Sequence, residues 1–401
     1  MPDDTPRWRQ QGFLGLVDDE PPFILRPLRI RDQKSIPHRQ WIYGTHIIRG
    51  YVSLLVAPGG TGKSSLILGI GMACATQRNL LGTVVHQQVN VAVLNLEDPQ
   101  EEVDRRVTAL SMRYGISDAD ISDRVFMTPE GRSVVIAAKG DDGFSVIHPD
   151  ERAIIEKVKD ERIGLLAVDP YAESHALEEN SNPDMVRAAA AWRRVARIGN
   201  CAVLLAHHVR KGTVDSIEAA RGAKALTDSA RVGLLLSTMS EAEADTLGVA
   251  QDDRLKYARL DDAKANLAPR APKAVWFHLA TVTLDNATEL YPKGDGVVVI
   301  EQWQPQSVFA GFSDAQLNEA LDAIEAGTDD GRRFSARRED AGRWAGQVFI
   351  DLFGLTEGSA SEIIRTWVKS GLLTLRKYHD SVTRKERNGL FVNATKRPGE
   401  R

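Results

Sequence analysis

Between Trp41 and about Gln304, short apolar runs alternate with longer stretches whose apolar positions recur at helical spacing. The runs Val52 to Val56, Val91 to Leu96, Leu165 to Val168, Ala202 to Ala206 and Val232 to Leu236 are rich in Val, Leu and Ala, with no polar residue at every second place. That is the pattern of strands covered on both faces, and strands alternating with helices predict a mostly parallel, twisted sheet of the α/β class. After Val232 the pattern changes to antiparallel strands at Lys256 to Leu260, Ala274 to Leu284 and Gly296 to Gln302. Pro305 to Ser313 reads as a short linker. Beyond it the spacing predicts helices near Asp314 to Ala326 and Arg343 to Phe353, and a third leading from Thr356 through Lys369 to a stop at Gly371. Leu372 to Tyr378 and Gly389 to Val392 then read as paired strands, so the tail has the element order of a winged helix.

The organisation that follows is an extended, proline-bearing arm over residues 1–40, a large α/β domain over 41–304, and a winged-helix domain over 313–401. A chain of 401 residues is long for one core, which agrees with this division. No apolar run approaches a membrane span and the N-terminus lacks a basic-then-apolar leader, so a cytoplasmic protein without membrane partners is expected. Cys74 and Cys201 each stand in an apolar stretch and read as buried, reduced thiols. The net charge of −4 conceals an asymmetry, because Gly331 to Arg401 holds 15 Lys and Arg against 8 Asp and Glu. An anionic polymer would prefer that tail.

Val56-Ala57-Pro58-Gly59-Gly60-Thr61-Gly62-Lys63-Ser64-Ser65 stands between a predicted strand and a predicted helix. Glycines there let backbone N–H groups approach a triphosphate, and the following helix adds its positive dipole end. Gly59, Gly60, Thr61, Gly62, Lys63, Ser64 and Ser65 are the candidate nucleotide-binding residues, with Lys63 reaching the β and γ phosphates and Ser64 ligating Mg²⁺. The strict motif opens with Gly five positions before Gly62, where this chain has Ala57.

A nucleotide hydrolase also needs an acid for the metal shell and a carboxylate to orient or deprotonate water. Asp169 ends the run Leu165 to Val168 and is the second candidate Mg²⁺ ligand, at the strand end where open α/β sheets bind ligands. Glu97 is read as the last residue of its strand and the carboxylate that orients or deprotonates water, while Asp98 before Pro99 is read as the cap of the next helix. His207 and His208 leave the end of a third strand, and His207 is the candidate sensor of the γ phosphate. A zinc site at this pair would need further ligands at suitable spacing.

Ile36 to Trp41, Ala57 to Ser65, Leu96 to Pro99, Leu166 to Pro170, His207-His208 and Arg221 to Asp228 occur in the order found in RepA-like hexameric ATPases, which the chain resembles over about residues 36–285. That family lies in the RecA-like class with the DnaB-type replicative helicases. The resemblance implies a RecA-like P-loop core using ATP and Mg²⁺, and a homo-oligomer, a hexameric ring, in which a neighbour supplies a cation to the γ phosphate. Arg231 matches the arginine before the last core strand of RepA-like proteins and is the favoured trans cation, followed by Arg221. Lys264 is the alternative, although DnaB-like relatives carry an arginine two places later where this chain has Asn266.

Arg365, Lys369, Arg376, Lys377, Arg384, Lys385 and Arg387 surround the predicted recognition helix and wing and are the candidate DNA contacts. Winged helices also serve as protein docking modules. Two functional expectations result. One is a helicase or translocase of a replication module, meeting that module's other proteins. The other is an ATP-gated DNA-binding regulator or loader that does not unwind. A small-molecule kinase is disfavoured by the basic tail and the lack of a lid segment.

Overall fold

The computed structural model describes residues 24–140, 145–209, 223–271, 273–340 and 342–399. Its contacts divide the chain into two units, residues 1–237 with 258–303, and residues 238–257 with 304–401. The first described stretch, 24–40, is exposed throughout and contains one 3-10 turn at Gln33–Ser35. The remainder of the expected arm, residues 1–23, lies outside the described residues.

In the first unit the chain enters through β1 (Trp41–Tyr43), β2 (Ile47–Ile48) and β3 (Val52–Pro58), then forms α1 (Lys63–Thr76). β4 (Asn90–Asn95) leads to α2 (Gln100–Tyr114), the short α3 (Asp118–Ile121) and β5 (Val125–Met127). A small hairpin, β6 (Ala137–Lys139) with β7 (Ser145–Ile147), precedes α4 (Asp150–Asp160) and β8 (Ile163–Asp169). α5 (Asn182–Ile198), β9 (Ala202–Val209), α6 (Ala223–Ser229) and β10 (Val232–Thr238) follow. After α7 (Glu241–Leu247), which belongs to the second unit, come β11 (Tyr257–Ala265), β12 (Val275–Thr283) and β13 (Gly296–Trp303).

Nine of these strands make one sheet in the order β13-β12-β11-β10-β3-β9-β8-β4-β5. From β10 to β5 every neighbouring pair is parallel. β12 and β13 are antiparallel. Thus the five apolar runs supply five of the six parallel strands, β5 being the sixth, and the change of pattern after Val232 marks the antiparallel extension.

Each central strand is buried on both faces because helices cover both. Leu55, Ala57, Leu165, Ala167, Leu204 and Ala206 face the cluster containing α1, whereas Leu54, Val56, Leu166, Val168, Val203 and Leu205 face the cluster containing α5. α1 is buried almost all round, as its continuous apolar sequence requires. Cys74 and Cys201 are free and buried, and burial pushes both thiols up to about 12.

The second unit comprises α8 (Asp314–Ala326), α9 (Gly346–Phe353), α10 (Glu357–Ser370) and the hairpin of β14 (Leu373–Asp380) with β15 (Lys385–Val392), together with α7. Ser313 caps α8 with a capping box, Thr356 caps α10 by accepting from the Ser359 amide at 3.2 Å, and Gly371 ends α10 at φ +74°. Trp344, Phe349, Ile363, Ile364, Trp367 and Leu390 share its core, each side chain contributing about 1.5–3 kcal/mol on full burial. Residues 238–257 group with this unit, whereas the expected boundary assigned them to the sheet domain. The reason is local: the Asp245 carbonyl accepts from the Thr356 and Ser359 hydroxyls at 2.8 and 3.1 Å, docking α7 on the start of α10. Arg343 was expected inside a helix but precedes it. Its buried guanidinium donates to the Tyr378 hydroxyl at 3.0 Å.

Candidate nucleotide site

Residues 59–62 join the end of β3 to the start of α1. Gly60 and Gly62 have φ of +79° and +83°, the left-handed region where a side chain costs about 1–2 kcal/mol. A Cβ on Gly59 or Gly60 would meet nothing within 4 Å, so this stretch of backbone borders open space of the kind a phosphate chain needs. A Cβ on Gly62 would lie 2.6 Å from Leu279 Cδ2. Ala57, where the strict motif has Gly, lies within β3 and is not among the positive-φ positions, so its methyl meets no backbone obstacle. Thr61 is buried and donates to the Pro58 carbonyl at 2.9 Å, closing the loop on itself.

Lys63 opens α1 and is 4% exposed. Its Nζ donates to Asp169 Oδ1 at 2.5 Å and lies 2.7 Å from His208 Nε2. Glu97 Oε2 stands 3.6 Å from the same His208 nitrogen, with its side chain 63% exposed. A cation, two carboxylates and an imidazole from four segments of the chain therefore converge at the mouth of the loop. Ser64, the other expected metal ligand, is half-buried and lines one cleft with Asp169, Asn95 and Arg106.

Strand alternation explains the histidines. His208 follows Leu204 and Ala206 onto the α1 face, beside Ala57 in the register of β3 with β9. His207, expected to sense the γ phosphate, falls on the α5 face with Val203 and Leu205. There it is buried, its ring 6.2 Å from Tyr171, which also packs on His175 at 4.8 Å. Burial, reinforced by His207, lowers the His175 pKa.

Three further expectations meet a different arrangement. Glu97 lies two residues beyond the end of β4 rather than on it. Asp98 does not cap α2, whose N-cap is Pro99; its carboxylate holds Arg106, two helical turns on, at 2.5 and 3.2 Å. Ser65 is turned into the core, where its hydroxyl accepts from the Ile300 amide at 2.9 Å. His208 and Arg106 are the site residues that sequence reasoning left without a role. Arg106 had a visible signal in its spacing of four from Glu102, which it meets at 3.0 Å.

Arg231 is exposed at the start of β10, and its amide donates to the Val52 carbonyl at 3.1 Å. Val52 opens β3 while the loop follows Pro58, so Arg231 lies about 20 Å of strand away from its own chain's loop. Lys264 is engaged with the Thr227 carbonyl at 2.5 Å, and burial lowers its pKa. Arg221 and the expected loop from Lys211 to Arg221 lie outside the described residues.

In the second unit Arg365 and Lys369 share the exposed face of α10, with Arg365 paired to Glu362. Arg376 stacks over Phe391 at 5.6 Å, and Arg387 lies 3.5 Å from the buried Asp380. Arg376, Arg387 and Lys385 share one face of the hairpin; Lys377, opposite Asn388, is on the other. Arg384 is exposed in the turn between the strands, at φ +53°. The seven cations are therefore distributed over a helix face, both hairpin faces and a turn.

Residues 20–214 match the family model described as an AAA domain, a stretch that takes in the glycine loop, Glu97, Asp169 and His208. Among solved structures, that of a DnaB-like replicative helicase and its interactions with primase is similar over 57% of this chain and 55% of that one, at 11% identity and a TM-score of 0.42. The chain thus spans little more than half of that helicase's length. A RadB recombinase structure is similar over 58% of this chain and 88% of that one, at 14% identity and a TM-score of 0.36. Among the described residues no helix is long and apolar enough to cross a membrane.

Proposed function

We propose that the protein is an oligomeric, Mg²⁺-dependent ATPase acting on DNA in the cytoplasm, a RepA-like helicase or translocase of a replication module. The observation that carries the ATPase reading is the meeting of Lys63, Asp169, His208 and Glu97 at a glycine loop whose backbone borders open space. Amides of residues 59–64 would hold the β and γ phosphates, and Lys63 would move from Asp169 to them. Ser64 and Asp169 fit a magnesium ion, as a hydroxyl and a carboxylate lining one cleft. When bound, the ion would neutralise negative charge on the β and γ phosphates. Glu97, exposed and 3.6 Å from the His208 imidazole, would orient and deprotonate the attacking water.

The resemblance to RepA-like ATPases supports a hexameric ring. Arg231 would serve a neighbour's γ phosphate, since strand geometry removes it from its own. The C-terminal unit is read as a winged helix whose Arg365, Lys369 and wing cations contact DNA phosphates. That unit has its own core, which also favours the second reading, a DNA-binding regulator or loader reset by slow hydrolysis. Displacement of a strand from forked DNA separates the two: DNA-stimulated hydrolysis without unwinding supports the regulator.

The site assignment is tested by two substitutions. Lys63→Ala should abolish both binding of a non-hydrolysable ATP analogue and turnover, whereas Glu97→Gln should abolish turnover and keep tight binding. Normal hydrolysis by Glu97→Gln would remove the proposed base.

A further inference from the structure

His208 Nε2 is within reach of two groups that make opposite demands on it. A lysine ammonium has donors and no acceptor, so at 2.7 Å Lys63 must donate and Nε2 must present its lone pair. A carboxylate can only accept, so Glu97, 3.6 Å away, can be held only when Nε2 carries a proton. One nitrogen cannot do both. In the arrangement seen here the contact to Lys63 is the shorter, and Glu97 waits beyond hydrogen-bonding distance on a loop past the end of β4. Lys63 is in turn held by Asp169, so the chain of contacts runs Asp169, Lys63, His208, Glu97.

We propose that His208 is a positioning residue for Glu97, released from Lys63 when a nucleoside triphosphate draws the ammonium away and then donating its Nε2 proton to the Glu97 carboxylate. The inference rests on the nucleotide-hydrolase reading of the loop. Its content is a coupling: the phosphate that Lys63 meets is reported to the catalytic carboxylate by a change of proton occupancy on one ring nitrogen. Before nucleotide binds, Glu97 has no donor from His208 and is not oriented; afterwards it has one. His208 acts through Glu97, and the proton it gains comes from solvent, which its partly exposed ring reaches.

The test is nitrogen-15 NMR of the full chain with labelled histidine, the His208 signal being identified among the nine histidines by its loss in His208→Gln. At neutral pH without nucleotide, Nε2 should be unprotonated. It should become protonated in Lys63→Met without nucleotide, and in the unaltered protein on adding Mg²⁺ and a non-hydrolysable ATP analogue. Glu97→Ala with the analogue should leave Nε2 unprotonated. Protonation there equal to that of the unaltered protein would assign the proton to the phosphate instead and overturn the proposal, as would an Nε2 already protonated in the free protein. If calorimetry shows that the analogue does not bind, the nucleotide reading fails, while Lys63→Met with and without Glu97→Ala still decides the hand-over. In turnover, His208→Ala should lose about 100-fold with analogue affinity kept within about threefold, and His208→Gln, whose amide can donate to Glu97, should restore most of it. Turnover in His208→Ala within about twofold of the unaltered protein would also overturn it.

Discussion

Ser65→Ala separates two roles for a residue of the candidate phosphate loop. Were Ser65 a phosphate ligand, as its place in the motif suggests, the substitution would weaken nucleotide binding and leave the fold alone. In the structure its hydroxyl instead accepts from the amide of Ile300, a fully buried residue of β13, across a sequence gap that only the fold closes. Removing the acceptor leaves a buried N–H unsatisfied, which costs about 1–3 kcal/mol. A loss near 2 kcal/mol in a unit of about 280 residues, whose unfolding entropy is about 0.6 kcal/mol/K, lowers Tm by about 3 °C. Urea unfolding should show a lower midpoint at unchanged slope, hydrogen exchange should show lost protection at the Ile300 amide, and calorimetry should show unaltered affinity for an ATP analogue. Ser65→Thr, which keeps a hydroxyl, should lose less. Unchanged stability together with weakened nucleotide binding would refute the structural role and return Ser65 to the phosphates.

Two other outcomes follow from contacts outside the loop. Gly358→Ala places a Cβ 2.3 Å from Asp245 Oδ2 and 2.8 Å from the Thr246 backbone nitrogen, so α7 must shift from the start of α10. Thermal unfolding of the full chain should report a destabilisation of about 1–3 kcal/mol, and a wild-type transition would show that α7 is not held there. Asp262 accepts a hydrogen bond from His46 at 3.0 Å, which holds its carboxyl below the usual range. Because the folded pKa lies below the unfolded one, this stabilisation is present above the unfolded value of about 4 and is lost as pH falls through the folded value. Asp262→Asn should flatten the acid limb of a stability profile taken by urea unfolding between about pH 6 and about pH 3, and an unchanged limb would exclude the pair as its source.

Local signals were legible in the sequence by itself. Apolar runs marked five strands of the parallel sheet, and a terminal glycine marked the end of α10, because propensity and backbone conformation act over a few residues. The glycine spacing before Lys63 likewise marked the loop, since it is the backbone there that must turn and open. Which side chains the loop meets was decided only by tertiary structure. β9 is buried on both faces, so its sequence has no polar side to tell His207 from His208, and packing against α1 or α5 makes the choice. Ser65 and Asp98 took other partners, Ile300 and Arg106, because an unsatisfied buried amide and a nearby guanidinium compete with the roles their positions suggest. Residues 238–257 joined the C-terminal unit for the same kind of reason: a carbonyl at Asp245 satisfies hydroxyls more than a hundred positions away, a contact that no window of sequence contains.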